Sequence, residues 1–179
     1  MSEPKKINLP LSEEAIKELH TGDMVLLSGT LYSARDAAHK KMTELLAEEK
    51  PLPFPLEGNV IYYLGPTPAR PGQVIGSAGP TTSTRMDKYT PALLKRGLKG
   101  MIGKGKRSPE VIRAMQEEGA VYFAAVGGAG ALLSKCIRES RVIAFDELGT
   151  EAVREMRVEN FPAIVAIDCR GKNIYGVRE

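Results

Sequence analysis

The stretch Met24-Val25-Leu26-Leu27-Ser28-Gly29-Thr30-Leu31-Tyr32-Ser33-Ala34-Arg35-Asp36-Ala37-Ala38-His39 decides the fold class. Its first four residues form a short apolar run, the pattern of a buried strand. A polar segment containing glycine follows. Over residues 37–49, Ala38, Met42, Leu45 and Leu46 then recur at helical spacing and define one apolar stripe. The unit reads as strand, loop and helix, with an arginine at the start of the helix.

The same alternation continues outward in both directions. Residues 1–10 read as an extended lead-in. Ser12 is placed to cap a short helix with Glu13 and Glu14 in its first turn, and Thr21-Gly22-Asp23 breaks that helix. Beyond the central unit, Pro51, Pro53 and Pro55 enforce an extended linker. Strands are expected over residues 60–64, 73–78, 100–102, 121–126 and 142–145. Helices are expected over 86–95, kinked or split by Pro91 and closed by Gly97, and from Pro109 after the cap Ser108 to Gly119. A helical stretch over 131–136, a short helix over 150–156 and a hairpin of 162–168 with 173–175, or two neighbouring strands there, complete the reading. Strands alternating with helices define an α/β fold.

With 179 residues, 42% hydrophobic and 26% charged, the chain has the composition of one folded domain spanning 1–179. The net charge of +3 is spread through the sequence, which argues against nucleic acid as a partner. One basic stretch, Lys95, Arg96, Lys99, Lys104, Lys106 and Arg107, is either a solvated face or an anion site. Two cysteines, Cys136 and Cys169, and two histidines, His20 and His39, show no metal-ligand spacing, so no metal site is expected in this chain. A disulfide between the cysteines stays open, although so few cysteines fit a reducing compartment better. No signal pattern and no apolar run of membrane-spanning length is present, so the expected location is cytoplasmic, with no membrane partner.

Four polar segments fall at strand ends, where open α/β sheets bind ligands. Ser28-Gly29-Thr30 leads to Arg35, whose planar fork suits a carboxylate; the alternative is that Arg35 pairs with Asp36 or a surface acid. His39 reads as a packed or capping histidine rather than a base. Gly79-Pro80-Thr81-Thr82-Ser83-Thr84-Arg85 places four hydroxyls before an arginine, more than a helix cap requires. Gly103-Lys104-Gly105-Lys106 is not a Walker A loop, because Leu98 stands where the first glycine belongs and Gly105 follows the lysine, yet Lys104 can reach a carboxylate. Gly127-Gly128-Ala129-Gly130-Ala131 departs from the dinucleotide pattern and fits close helix packing equally well. Arg35, Arg85, Lys104 and the hydroxyls suit a small molecule with two or more carboxylates. Obvious acid–base groups are scarce, as in half of a site.

The segments 29–39, Gly79-Pro-Thr-Thr-Ser-Thr-Arg-Met-Asp87, Gly103-Lys-Gly105 and Glu159-Asn-Phe-Pro-Ala163 resemble the C-terminal domain, or β subunit, of class I fumarases and L-tartrate dehydratases. The resemblance runs from about Ile7 to Tyr175. It implies a single swivelling β/β/α domain and a partner α subunit that carries a [4Fe–4S] cluster on its own cysteines. It also implies a hetero-oligomer, such as α2β2. Arg35 and Arg85 match family arginines that hold substrate carboxylates, Thr81 and Thr82 the threonine pair at the substrate, and Lys104 a lysine near it. Thr81 matches the proposed proton acceptor. Tyr63-Leu64-Gly65-Pro66 departs from relatives with a cysteine before the Gly-Pro. The implied activity is interconversion of (S)-malate and fumarate. The alternatives are L-tartrate dehydration and a stand-alone dicarboxylate-binding module. An acyl- or phosphoryl-transfer enzyme is disfavoured by the lack of a Walker loop and of a nucleophile–base pair.

Overall fold

The computed structural model describes residues 3–125 and 130–176. Seven strands form one sheet: β1 (Lys5–Asn8), β2 (Met24–Ser33), β3 (Val60–Tyr62), β4 (Gly100–Gly103), β5 (Val121–Ala125), β6 (Ile137–Ala144) and β7 (Val153–Ile167). The order is β1-β2-β3-β4-β5-β7-β6. β1 to β5 run parallel, and β7 is antiparallel to β2, β5 and β6. The β2–β7 pairing closes β2, β3, β4, β5 and β7 into a ring, which removes the free edges of those strands. The fold is α/β, in agreement with the sequence reading.

Successive side chains along the strands alternate between two cores. Leu27, Leu31, Tyr62, Ile102, Phe123, Phe161 and Val165 pack together on one face. Ile61, Tyr63, Met101 and Tyr122 face the other way and meet Met42 of α2 (Asp36–Ala47), Leu93 and Leu94 of α3 (Thr90–Lys95) and Met115 of α4 (Pro109–Glu118). A short α1 (Glu13–Glu18) and α5 (Gly130–Ser134) complete the helices among the described residues. None of these helices is long and apolar enough to cross a membrane.

Local signals placed several ends well. Ser12 accepts from the Ala15 N–H and Ser108 from that of Val111. Gly119 closes α4 in the left-handed conformation. Pro91 splits the expected 86–95 helix: a 3-10 turn, Ser83–Met86, precedes α3, and Pro91 sits in its first turn. The lead-in is extended, as read, and within it β1 pairs with β2. Other expectations need correction. The Ser28-Gly29-Thr30 segment is not a loop, because β2 continues through it to Ser33, with a register shift against β7 at Leu27/Gly29. Residues 73–78 form no strand. Residues 150–156 are not a helix: a 3-10 stretch, Asp146–Glu151, gives way to β7. The final hairpin is reduced to an Ile167–Asn173 bridge around the Asp168–Lys172 turn. Residues 126–129 of the glycine turn lie outside the described residues.

Candidate functional site

Because β2, β3 and β4 are parallel, their carboxyl ends open on one edge of the sheet, and each supplies a piece of the site. Arg35 follows β2 and is the residue just before α2, where its side chain makes no capping bond. Tyr63 and Gly65 follow β3, and Lys104 follows β4. The hydroxyl segment is laid across this edge by ladder-like bonds. The Thr81 N–H donates to the Tyr63 carbonyl at 2.8 Å, Thr82 bridges Lys104 in parallel register, and the Ser83 N–H donates to the Lys104 carbonyl at 2.9 Å. The five residues expected from the sequence, Arg35, Thr81, Thr82, Arg85 and Lys104, therefore lie along one edge.

Beneath them is a rigid buried scaffold that the sequence reading did not identify. Ser83 is fully buried, and its Oγ lies 2.7 Å from the Tyr122 hydroxyl, which also donates to the Gly105 carbonyl at 2.8 Å. Gly103 permits this approach, since a Cβ there would lie 2.0 Å from Ser83 Oγ. Arg107, read as part of an exposed basic run or anion site, is instead buried. Its Nε donates to Asp87 at 2.7 Å and its NH2 to Thr90 at 2.9 Å, and its guanidinium lies over the rings of Tyr63 and Tyr122. Asp87 also accepts the Ser108 N–H at 2.8 Å, so it ties the hydroxyl segment to α4. Lys95, Arg96, Lys104 and Lys106 of the same run are exposed.

The two arginines are held differently. A Cβ on Gly65 would lie 2.6 Å from Arg35 NH1 and 2.8 Å from its Cδ, so the Arg35 side chain rests on the bare glycine backbone. Arg35 Nε is buried without a partner among the described residues. Its nearest anion is Asp36, at 3.8 Å from NH2, beyond hydrogen-bonding distance. Asp36 instead engages Arg85: Nε donates to Oδ1 at 3.0 Å, and NH2 lies 2.9 Å from Oδ2. Of the two alternatives left open for Arg35, the Asp36 pairing is thus weak, and the partner of Asp36 lies 49 residues away. Among the described residues, no hydrogen bond or ion pair engages the Lys104 ammonium or the Thr81 and Thr82 hydroxyls. Thr82, Arg85 and Lys104 are exposed. A hollow of about 720 Å³ touches this edge at Thr84 and Arg85 and continues past Lys88, Ser108 and Glu110, so its lining is of mixed charge.

His39 is fully buried beside the site. Its Nδ1 lies 2.8 Å from the Arg35 carbonyl, which can only accept, so Nδ1 carries the proton and Nε2 is bare. Nε2 has no partner among the described residues. Burial lowers its pKa to about 4, outweighing the backbone bond to Arg35. Of the two roles read from the sequence, packed or capping, the packed one is what the structure shows, and the ring is neutral at pH 7.

No group of three or more His, Cys, Asp or Glu side chains among the described residues is arranged to hold a metal. Cys136 and Cys169 are both free thiols; the first lies 3.8 Å from the Asn160 carbonyl and the second 3.8 Å from that of Ile16. Two separated thiols do not make the multi-thiolate set an iron–sulfur cluster requires.

The fold is an α/β domain, and this edge gathers cationic and hydroxyl side chains whose chemistry suits a carboxylate. The chain belongs to the family described as Fumarase C-terminus, whose model matches residues 1–177. It is 41% identical over 171 residues to a Methanocaldococcus jannaschii protein provisionally named L(+)-tartrate dehydratase subunit beta, covering 92% of this chain and 88% of that protein. It is 38% identical to Fumarate hydratase 2 of Leishmania major, over 90% of this chain and 29% of that protein. It is 35% identical to the anaerobic class I fumarate hydratase of Escherichia coli, over 94% of this chain and 32% of that protein. The chain thus spans nearly all of the first relative and about a third of the other two. Relatives named as hydratases and a dehydratase support a hydro-lyase role.

Proposed function

We propose that this chain is the β subunit of an iron–sulfur-dependent hydro-lyase that interconverts (S)-malate and fumarate. It grips the dicarboxylate and offers a proton acceptor, while a partner α subunit completes the site. The observation that carries this reading is the convergence of Arg35 and Arg85 on one sheet edge with Lys104, Thr81 and Thr82, whose side-chain polar groups have no partners among the described residues. Two guanidiniums and an ammonium suit the two carboxylates of a C4 diacid.

The reaction removes a proton from C3 and a hydroxyl from C2. Arg35 presents its NH1 and NH2 groups above Gly65 and binds one carboxylate. Arg85 and Lys104 take the other. Thr81 accepts the C3 proton; its hydroxyl ionises far above neutral pH in water, and the three neighbouring cations favour the ionised form. The [4Fe–4S] cluster, held by the partner subunit, supplies Lewis-acid chemistry toward the leaving hydroxyl. Thr82 hydrogen-bonds the bound substrate. A second reading, L-tartrate dehydration, is favoured by the relative that matches over most of its length and carries that name. Tartrate is likewise a C4 hydroxy diacid, so the same clamp serves either substrate.

The assembly proposed is a cytoplasmic hetero-oligomer, α2β2. Anaerobic co-expression with the cluster-bearing chain, followed by a malate-to-fumarate absorbance assay, tests the reading. The expected result is activity that needs both chains, is lost in air, and falls at least about 100-fold in Arg35→Ala. A cluster-loaded complex silent on malate and active on tartrate selects the second reading. Failure of the two chains to associate would leave a stand-alone dicarboxylate-binding module.

A further inference from the structure

The carboxylate of Asp36 stands between two groups that would otherwise repel each other. Its Oδ2 is 2.9 Å from Arg85 NH2 and 3.8 Å from Arg35 NH2, so both guanidiniums lie within 4 Å of one oxygen. Only the Arg85 Nε bond to Oδ1, at 3.0 Å, is well aligned. A guanidinium has two usable edges: the side edge of Nε and one terminal nitrogen, and the end edge of the two terminal nitrogens. Asp36 takes the side edge of Arg85 and leaves the end edge open. Asp36 is itself fixed as the first residue of α2, with the neighbouring Ala37 N–H bonded to Glu151 at 3.2 Å. The Asp36 side chain is 29% exposed and that of Arg85 51%, so the fixed member of the pair is the acid.

We infer that Asp36 is a positioning residue for the substrate clamp: it holds Arg85 by its side edge so that the end edge faces the same ligand space as Arg35. The inference rests on the dicarboxylate reading of this site and adds a specificity determinant to it. Three cations, Arg35, Arg85 and Lys104, together with the one carboxylate of Asp36, leave two net positive charges in the clamp. That balance complements a dicarboxylate dianion, and a monocarboxylate would leave one cation unpaired. Asp36 acts through Arg85, so its contribution disappears when Arg85 is removed.

The test uses the assembled, cluster-loaded enzyme and a double-mutant cycle. Asp36→Asn keeps the size and the helix start but loses the charge. The expected result is a KM for the C4 dicarboxylate raised about tenfold, a smaller change in kcat, and a melting temperature unchanged from wild type. Competitive inhibition by succinate should weaken by the same factor, while inhibition by a monocarboxylate such as propionate should not. In an Arg85→Ala background the same substitution should change succinate binding by less than about twofold. Wild-type KM and succinate inhibition in Asp36→Asn would overturn the inference, and so would an equal loss with and without Arg85. If wild type turns over or binds C4 dicarboxylates while Asp36→Asn is indistinguishable from it, the positioning role alone falls. If wild type neither turns over nor binds them, the reading of the whole site falls with it.

Discussion

Gly65→Ala separates the role of Arg35 from the stability of the fold. The added methyl would lie 2.6 Å from Arg35 NH1 and 2.8 Å from Cδ, where ordinary contact begins at 3.4 Å. The guanidinium must therefore retreat by roughly 0.8 Å. The backbone at Gly65 does not lie in the left-handed region, so alanine is conformationally tolerated there. The obstruction is the mobile end of a side chain, and a rotamer adjustment costs about 1 kcal/mol. A clamp moved by about 1 Å, in contrast, can lose on the order of 100-fold in rate. The expected outcome is a subunit that folds and assembles normally but whose kcat/KM for the dicarboxylate falls by one to two orders of magnitude. The assay is steady-state kinetics on the cluster-loaded assembly, with thermal denaturation and cluster content measured on the same preparation. Wild-type kcat/KM in a correctly assembled Gly65→Ala enzyme would refute the argument that the position of Arg35 over Gly65 is functional. A large loss of stability would instead show that the Arg35 side chain cannot yield to the added methyl.

His39 gives a pH signature. Its folded pKa, lowered to about 4 by burial, lies below the ordinary 6.5, so between these values the unfolded chain binds more protons. The stability tied to neutral His39 is present in full above pH 6.5 and is lost as pH falls toward 4, by about 3 kcal/mol. Urea denaturation of wild type and His39→Gln across that range should show this slope only in the wild type, and identical slopes would contradict it. Arg107→Ala removes the cation from a pair whose side chains are 0% and 12% exposed and leaves Asp87 without its charge partner. A loss of about 3–5 kcal/mol is expected by chemical denaturation, and a loss under about 1 kcal/mol would show that solvent already compensates Asp87.

Where the sequence misled, two-sided burial or long-range pairing is the cause. In residues 153–158, Val153 and Met156 stand three apart and mimic a helical stripe. In β7 they face opposite cores: Val153 packs with the helices, while Met156 and Val158 pack inside the ring. A buried apolar residue on each face, with charged Arg154 and Glu155 between them, erases the alternation that would have marked a strand. Pro162 broke the reading of β7 at its other end. Neither β6 nor β5 is registered against Pro162, because β7 passes from one to the other between Val158 and Ala163, so its missing N–H breaks no ladder bond on that flank. Residues 73–78 have the composition of a strand, but both flanks of β3, the strand before them, are already taken by β2 and β4.

The cations of the site were legible because their residue types and their places at strand ends are local properties. Their partners were not. Asp36 and Arg85 are 49 residues apart, and the seat of Arg35 at Gly65 is fixed only once β2 and β3 are parallel neighbours. This has a mechanical consequence. Each strand of the closed ring is paired on both flanks, so the register at the carboxyl edge cannot slip without opening the ring. Arg35, the threonine pair and Lys104 are tied by backbone bonds to β2, β3 and β4, and Arg85 is tied by Asp36 to the helix that follows β2. The backbone positions from which these candidate ligand groups project are therefore set by the sheet itself. On the reading proposed above, association with the partner chain brings the cluster and excludes water from an edge whose geometry the sheet has already set.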